Sequence, residues 1–190
     1  LAQHLLAESY AALTTIEQFA REVHAMHRAL DIPPSYAVEC NLPLCIEPDE
    51  LVDTELDFYQ RPQRLTAEAF SAWTAMKSAA ASEGVTLFLI SAFRGLDYQR
   101  GLIEKKLSDG WTLEEILQVN AAPGYSEHHT GRAIDLGTPN CDALIENFEN
   151  TPAFQWLTTN ANTFKFFMSY PRVNTCGIQY EPWHWCFSAE

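Results

Sequence analysis

A chain of 190 residues, 47% hydrophobic and 19% charged with five tryptophans and eleven phenylalanines, is long enough to bury one substantial core and too apolar to be disordered. Twelve Lys and Arg against 25 Asp and Glu leave a formal charge of −13, which argues against nucleic acid or an anionic membrane as partner, since both are held through cationic side chains. No apolar run approaches the roughly 20 residues of a spanning helix, so no transmembrane segment is expected, and the chain is read as soluble.

The first residues lack a basic start followed by an apolar stretch and a small-residue cleavage site, so no export signal is visible. Leu5, Leu6, Tyr10, Leu13, Ile16, Phe19, Ala20 and Val23 recur at a spacing near 3.6, which predicts an amphipathic helix over residues 1–30, ended by Pro33–Pro34. Residues 35–62 hold prolines at 43, 48 and 62 and an acidic cluster, and read as a loop-rich segment. Residues 1–60 are therefore expected to form a helical and loop-rich extension packed on a core of residues 61–190, within a single domain over 1–190.

"RLTAEAFSAWTAMKSAAASEG" predicts a second helix, capped by Thr66, with Leu65, Phe70, Trp73 and Met76 on its apolar face and Gly84 as its terminator. A buried strand, Val85 to Ile90, should follow. Helices are then expected over Leu96 to Lys106 and from Thr112 through "WTLEEIL". "PGYSEHHTGRAIDLG" reads as a turn leading into a short strand around Arg132 to Leu136. Residues 152–168 suggest a helix broken near Asn160–Asn162, and "IQYEPWHWCF" a final aromatic strand. Helices early and short strands late imply an α+β domain with a small, mostly antiparallel sheet flanked by helices.

Five cysteines, Cys40, Cys45, Cys141, Cys176 and Cys186, form an odd set with no CxxC pair, which rules out a zinc ribbon. One or two disulfides remain possible in an oxidising compartment, with Cys40–Cys45 and Cys176–Cys186 as local options.

Chemistry concentrates in two stretches. A catalytic zinc takes three N or O ligands from the protein and keeps one position open for water. His128 and Asp135 flank a glycine-containing turn, a spacing that lets a loop residue and a strand residue point at one ion, and His184 in "EPWHW" offers a third ligand. Glu181, three residues earlier, supplies a carboxylate suited to act as general base. Of the two adjacent histidines, His129 reads as a surface or supporting residue.

These residues resemble a known family. "SEHHTGRAIDLG" is similar to the S-x-H-(x)6-D signature, and "EPWHW" to the E-x-x-H signature, of VanY-like zinc D-alanyl-D-alanine carboxypeptidases and the related dipeptidases, lysostaphin-type endopeptidases and hedgehog domains. "SAFRGLDYQ" looks like the family's S-x-x-R-x-x-x-x-Q segment, and "FFMSYP" like its approach to the last motif. The resemblance covers about Leu65 to Phe187 and leaves the first 60 residues outside.

It implies that the sheet carries the metal site, that His128, Asp135 and His184 bind one Zn2+ per chain, and that Glu181 is the catalytic base. Arg94 would hold the developing oxyanion or the substrate carboxylate, a task suited to a planar guanidinium. Ser91, Gln99 and Ser126 match positions that bind substrate or support the site.

The implied reaction is hydrolysis at the C-terminal end of a peptidoglycan stem peptide, releasing D-alanine. A periplasmic or cell-envelope location follows from that substrate, and a monomer is assumed. The same fold also serves L,D-carboxypeptidases, D,D-dipeptidases, endopeptidases and non-catalytic zinc-containing modules. A cysteine peptidase built on Cys186 and His184 would leave Glu181, His128 and Asp135 without roles.

Overall fold

The computed structural model describes residues 2–189, with side chains from Thr15 onward. In chain order the elements are α1 (Ala2–Ala29), α2 (Tyr36–Glu39), β1 (Val52–Asp53), β2 (Arg64–Leu65), α3 (Ala67–Ser82), β3 (Phe88–Ser91), α4 (Leu96–Ser108), α5 (Leu113–Val119), β4 (Ala133–Gly137), α6 (Pro152–Asn160), β5 (Phe166–Met168) and β6 (His184–Phe187). Two compact units divide them: Leu1–Ile46 with Leu96–Ser126, and Glu47–Gly95 with Glu127–Glu190. Among the described residues no helix is long and apolar enough to cross a membrane.

In the first unit α1 ends ahead of Pro33 as its pattern predicts. Its last turn closes through Leu30 N–H on Met26 O and Ile32 N–H on His27 O. Val23 is fully buried, whereas Ile16 is exposed, so the apolar stripe is narrower than the sequence spacing suggests. Leu5, Leu6, Tyr10 and Leu13 lie outside the residues whose side chains are described.

The C-terminal half of α1 packs on the segment before Ser126. A Cβ on Gly124, whose φ is +86°, would lie 2.5 Å from Val23 Cγ2, so the close approach requires glycine. His27 Nε2 donates to Pro123 O at 2.8 Å, and the Tyr36 hydroxyl accepts Ala122 N–H at 3.1 Å. α4 joins the same segment through Gln99, whose Nε2 donates to Ala121 O at 2.8 Å. α5 begins with a reciprocal cap between Thr112 and Glu115, in agreement with the start read from Thr112.

The second unit holds a four-stranded sheet of order β3-β4-β6-β5, antiparallel at every pairing, which is the α+β architecture expected. Because side chains alternate across a sheet, one face presents Leu89, Ile134, Leu136, Trp185, Phe166 and Phe187 to the core. The opposite face carries Asp135 and His184, with Phe88 and Phe167 on the outer strands. α3 covers the core face with Ala69, Trp73, Met76 and Ala80, all fully buried and spaced at helical intervals.

Thr66 caps α3 by accepting Ala69 N–H. At its other end Gly84 (φ +79°) and Val85 close the helix, their N–H groups bonding Ala81 O and Ala80 O. That closure explains why the strand starts at Phe88 and not at Val85: the backbone of Val85 is already committed to the helix terminus.

A larger correction concerns Phe166–Met168, which the apolar run places in a helix and the structure places in β5. α6 passes into a 3-10 turn at Ala161–Phe164, and Lys165 adopts φ +61°, which stops helical propagation. The released backbone pairs with β6, Phe166 opposite Phe187 and Met168 opposite Trp185. Similarly, the final strand is confined to His184–Phe187, because residues up to Trp183 form the turn that leads into it.

A polar knot braces the connection between β1 and β2. Buried Asp57 accepts the N–H groups of Tyr59 and Arg61, the Arg61 Nε–H at 2.7 Å and the Gln63 Nε2–H at 2.9 Å. Gln63 Oε1 in turn accepts Ala92 N–H, and Arg61 donates to Ile90 O, so the knot fixes the end of β3.

Burial acts to raise the Asp57 pKa, but the Arg61 N–H, its guanidinium and the Tyr59 N–H outweigh it and hold the carboxyl below its ordinary value. A depressed folded pKa means that this stabilisation is complete above the unfolded value of about 3.9 and fades as pH falls through the folded one. Asp57→Ala is expected to lower stability by on the order of 2–4 kcal/mol at pH 7, because it orphans several donors. Urea unfolding at pH 7 and pH 3 should show the gap to wild type shrinking in acid.

Candidate active site and metal centre

Strand register assembles one row of polar side chains. Ser91 of β3 pairs with Asp135 of β4 across a register shift that follows Leu89, and Asp135 pairs with His184 of β6, so the three are neighbours across the sheet, with Asp135 and His184 on the face turned away from Ile134 and Leu136. Asp135 and His184 are buried, 3% and 2% exposed, and Ser91 is half-buried.

His128 reaches the same place from the 3-10 turn Glu127–Thr130. Gly131, at φ +63°, reverses the chain into β4, and a Cβ there would lie 2.6 Å from Leu51 Cδ2 and 3.3 Å from Thr66 N. The left-handed φ and the close Thr66 backbone favour glycine, which gives the glycine of the turn a physical cause.

The two histidines of "EHHT" grip the segment after β3 from both sides. His128 Nδ1 lies 2.6 Å from Ala92 O and His129 Nδ1 lies 2.5 Å from Arg94 O, while Arg94 N–H donates to His128 O. Burial, with the Arg94 charge second, lowers the His128 pKa to about 4, and burial likewise lowers His129 to about 4. Both rings are therefore neutral at pH 7, and each donates through Nδ1–H to its carbonyl. His129 is fully buried, so its role is to support Arg94, and it is not a surface residue.

With the proton on Nδ1, the His128 Nε2 atom carries a lone pair. It is buried without a hydrogen-bond partner and faces Asp135 Oδ2 at 3.3 Å. His184 Nδ1 lies 3.1 Å from Asp135 Oδ1. A lone pair held against a buried carboxylate is unfavourable unless a cation lies between them.

One ligand atom from each of His128, Asp135 and His184 lies within 4.8 Å of the others, and this trio is the group among the described residues able to hold a metal ion. Around a tetrahedral zinc with bonds of about 2.0–2.1 Å, neighbouring ligand atoms sit about 3.3 Å apart. Asp135 meets the two rings through different oxygens, Oδ2 towards His128 and Oδ1 towards His184, and two imidazoles with one carboxylate suit zinc.

Glu181 stands beside the trio, its Oε2 3.9 Å from His184 Nδ1. The E-x-x-H spacing works through a turn in which His184 N–H bonds Glu181 O, while Glu181 N–H bonds Tyr170 O. Burial raises the Glu181 pKa to about 7; the His184 charge opposes this and the Asp135 charge adds to it. The Arg94 guanidinium is near enough to lower the pKa of both Glu181 and His128, and its Nε is buried without a hydrogen-bond partner.

Burial would lower the His184 pKa, but hydrogen bonds to the Asp135 and Glu127 carboxylates raise it to about 10 in the protein without metal. For Asp135, burial works towards a higher pKa and is outweighed by His128 and His184, which leave it well below the carboxylate range.

His128, Asp135, His184, Glu181, Arg94 and Ser91 thus come together in the second unit. Gln99 and Ser126 belong to the first, both buried, with Gln99 already bonded to Ala121 O. Sequence reasoning assigned no part to Glu127, whose Oε2 lies 2.8 Å from His184 Nε2, or to Tyr170, whose ring packs 4.8 Å from that of His184. Glu127 lies next to the first histidine of the motif, but pairing with a residue 57 positions away leaves no local signal.

The family model for VanY, D-alanyl-D-alanine carboxypeptidase, matches residues 62–190. YodJ of Bacillus subtilis (strain 168) is 33% identical over 150 residues, which cover 75% of this chain and 55% of that protein. The chain spans about half the length, or less, of the curated relatives it matches. Among solved structures, the LdcB LD-carboxypeptidase superposes with a TM-score of 0.67 at 32% identity, covering 76% of this chain and 71% of that one. VanYB, solved in complex with D-alanine-D-alanine, gives a TM-score of 0.60 at 25% identity, covering 74% and 80%. A family match that includes every residue of the His128, Asp135, His184 and Glu181 cluster, in a fold that superposes on these structures, makes the chain a member of the VanY family of D-alanyl-D-alanine carboxypeptidases.

Proposed function

We propose that the chain is a zinc-dependent carboxypeptidase that hydrolyses the C-terminal D-Ala-D-Ala bond of peptidoglycan stem peptides, with one Zn2+ per chain. The observation that carries this reading is the convergence of His128, Asp135 and His184 beside a buried Glu181. Bound zinc would supply Lewis acidity for the scissile carbonyl and for water.

In this reading Glu181 takes the proton of the attacking water and returns it to the leaving amine. A carboxyl raised to about 7 suits both directions of transfer near neutral pH. Arg94 offers guanidinium donors to the negative charge that develops on the substrate oxygen or to the terminal carboxylate. Its backbone is gripped by His128 and His129, so the side chain starts from a fixed base. Ser91, beside Asp135, together with Ser126 and Gln99, completes the proposed set of substrate-binding and supporting residues. Residues 1–60 are read as an extension of a peptidase core over residues 61–190, and action outside the cytoplasm follows from the substrate.

A second reading, L,D-carboxypeptidase activity on the tetrapeptide stem, is favoured by one observation: the LdcB LD-carboxypeptidase has the higher TM-score and identity of the two solved structures. Mass spectrometry of products from pentapeptide, tetrapeptide and free D-Ala-D-Ala decides between them. Release of one D-alanine from the pentapeptide alone supports the main reading, and cleavage of the tetrapeptide supports the second. No cleavage of any of the three by zinc-loaded protein overturns both.

A further inference from the structure

Glu127 lies inside the "SEHHTG" motif without a task in the proposed reaction, yet it makes the closest side-chain contact to His184. Its Oε2 lies 2.8 Å from His184 Nε2, on the edge of the ring opposite Nδ1, and Nδ1 is the atom that lies 3.1 Å from Asp135 and 3.9 Å from Glu181. The carboxylate is held in turn by a hydrogen bond with Ser169. The carbonyl of the same residue accepts the Thr130 hydroxyl, so backbone and side chain are both tied down.

We infer that Glu127 is a positioning residue for the metal centre: by accepting the Nε2–H of His184 it fixes that ring's tautomer and orientation, so that the Nδ1 lone pair faces Asp135 and the zinc. This inference rests on the zinc reading above. His128 shows the same logic with a different partner, its outer nitrogen satisfied by Ala92 O and its inner nitrogen turned towards Asp135.

The choice of partner matters. A backbone carbonyl fixes the tautomer only, whereas a carboxylate also makes the imidazole a stronger electron donor, because its negative charge stabilises positive charge on the ring. The rings of Tyr170 at 4.8 Å and His128 at 4.9 Å pack against His184 but offer its nitrogens no acceptor of this kind. Since the Glu127 oxygen lies beyond the far edge of the ring from Asp135, the geometry makes it a partner of the ligand and not a fourth ligand.

The test compares zinc dissociation constants of wild type, Glu127→Ala and Glu127→Gln by competition with a chromophoric chelator. Long-range proton–nitrogen spectra of the zinc-loaded proteins and the visible spectra of their cobalt forms complete it. Glu127→Ala should bind zinc about 10–100-fold more weakly. Glu127→Gln keeps an oxygen acceptor at the same reach without the negative charge and should recover part of the loss, through the tautomer alone, an outcome that a general packing defect would not produce. In wild type the Nε2 proton of His184 should exchange slowly, and in Glu127→Ala rapidly. The cobalt spectrum should keep its intensity in both variants.

Zinc affinity unchanged in Glu127→Ala overturns the positioning role while leaving the zinc centre intact. A Gln variant as weak as Ala, with altered cobalt intensity, overturns it in favour of direct ligation. A wild type that takes up no zinc removes the zinc reading itself, and the role of Glu127 with it.

Discussion

Glu181→Gln is expected to slow hydrolysis of the stem peptide by about 10²–10⁴-fold, the range that a positioned general base contributes. Glutamine matches glutamate in size and keeps the backbone bonds to Tyr170 and His184, so the turn that carries it should persist. It cannot take a proton from water near neutral pH. The loss should therefore fall on kcat with little change in KM, since the side chain acts in the transition state and not in ground-state binding. Zinc affinity should stay near wild type, because Glu181 lies beside the trio of His128, Asp135 and His184 and is not one of its members. Steady-state kinetics and metal titration on one preparation check both halves. A zinc-loaded Glu181→Gln protein that turns over at the wild-type rate would remove Glu181 as base and with it the proposed mechanism.

Zinc should also stabilise the fold measurably. A ligand that binds only the folded state adds about 2.7 kcal/mol at a free concentration 100 times its Kd. For a chain of this size that corresponds to a rise in Tm of about 5–10 °C. The source of the gain is specific: without a cation, the lone pair on His128 Nε2 is held 3.3 Å from a buried Asp135 carboxylate. His184→Ala removes one of the three proposed ligands and should abolish both the zinc-dependent shift and activity, while its metal-free Tm stays measurable. Treatment of wild type with a chelator should have the same effect on activity, reversed by adding zinc. Identical melting curves with and without zinc would argue that the cluster is an ion-pair network in its own right.

Most of the helical framework was legible because its signals are local. Thr66 and Gly84 bracket α3, Thr112 and Glu115 cap α5, and Pro33–Pro34 lies just beyond the end of α1. The strands were less legible. "FKFFM" carries the same apolar residues whether it continues a helix or joins a sheet, and only the left-handed Lys165 and the pairing with β6 place it in the sheet. Val85 reads as strand by composition but is taken by the closure of α3. In both cases a tertiary or terminal hydrogen bond outweighed propensity.

By itself the sequence determined the family, because S-x-H-(x)6-D and E-x-x-H are short spacings along the chain. It also determined the class of fold. Only the tertiary structure decided how the motif residues meet. Strand register sets Asp135 beside His184, Ala92 O selects the nitrogen of His128 that stays open, and His129 and Glu127 become supports for Arg94 and His184. The reason is range: spacing along the chain records turns and strands, whereas a hydrogen bond between residues 35 or 57 positions apart exists only once the sheet has formed.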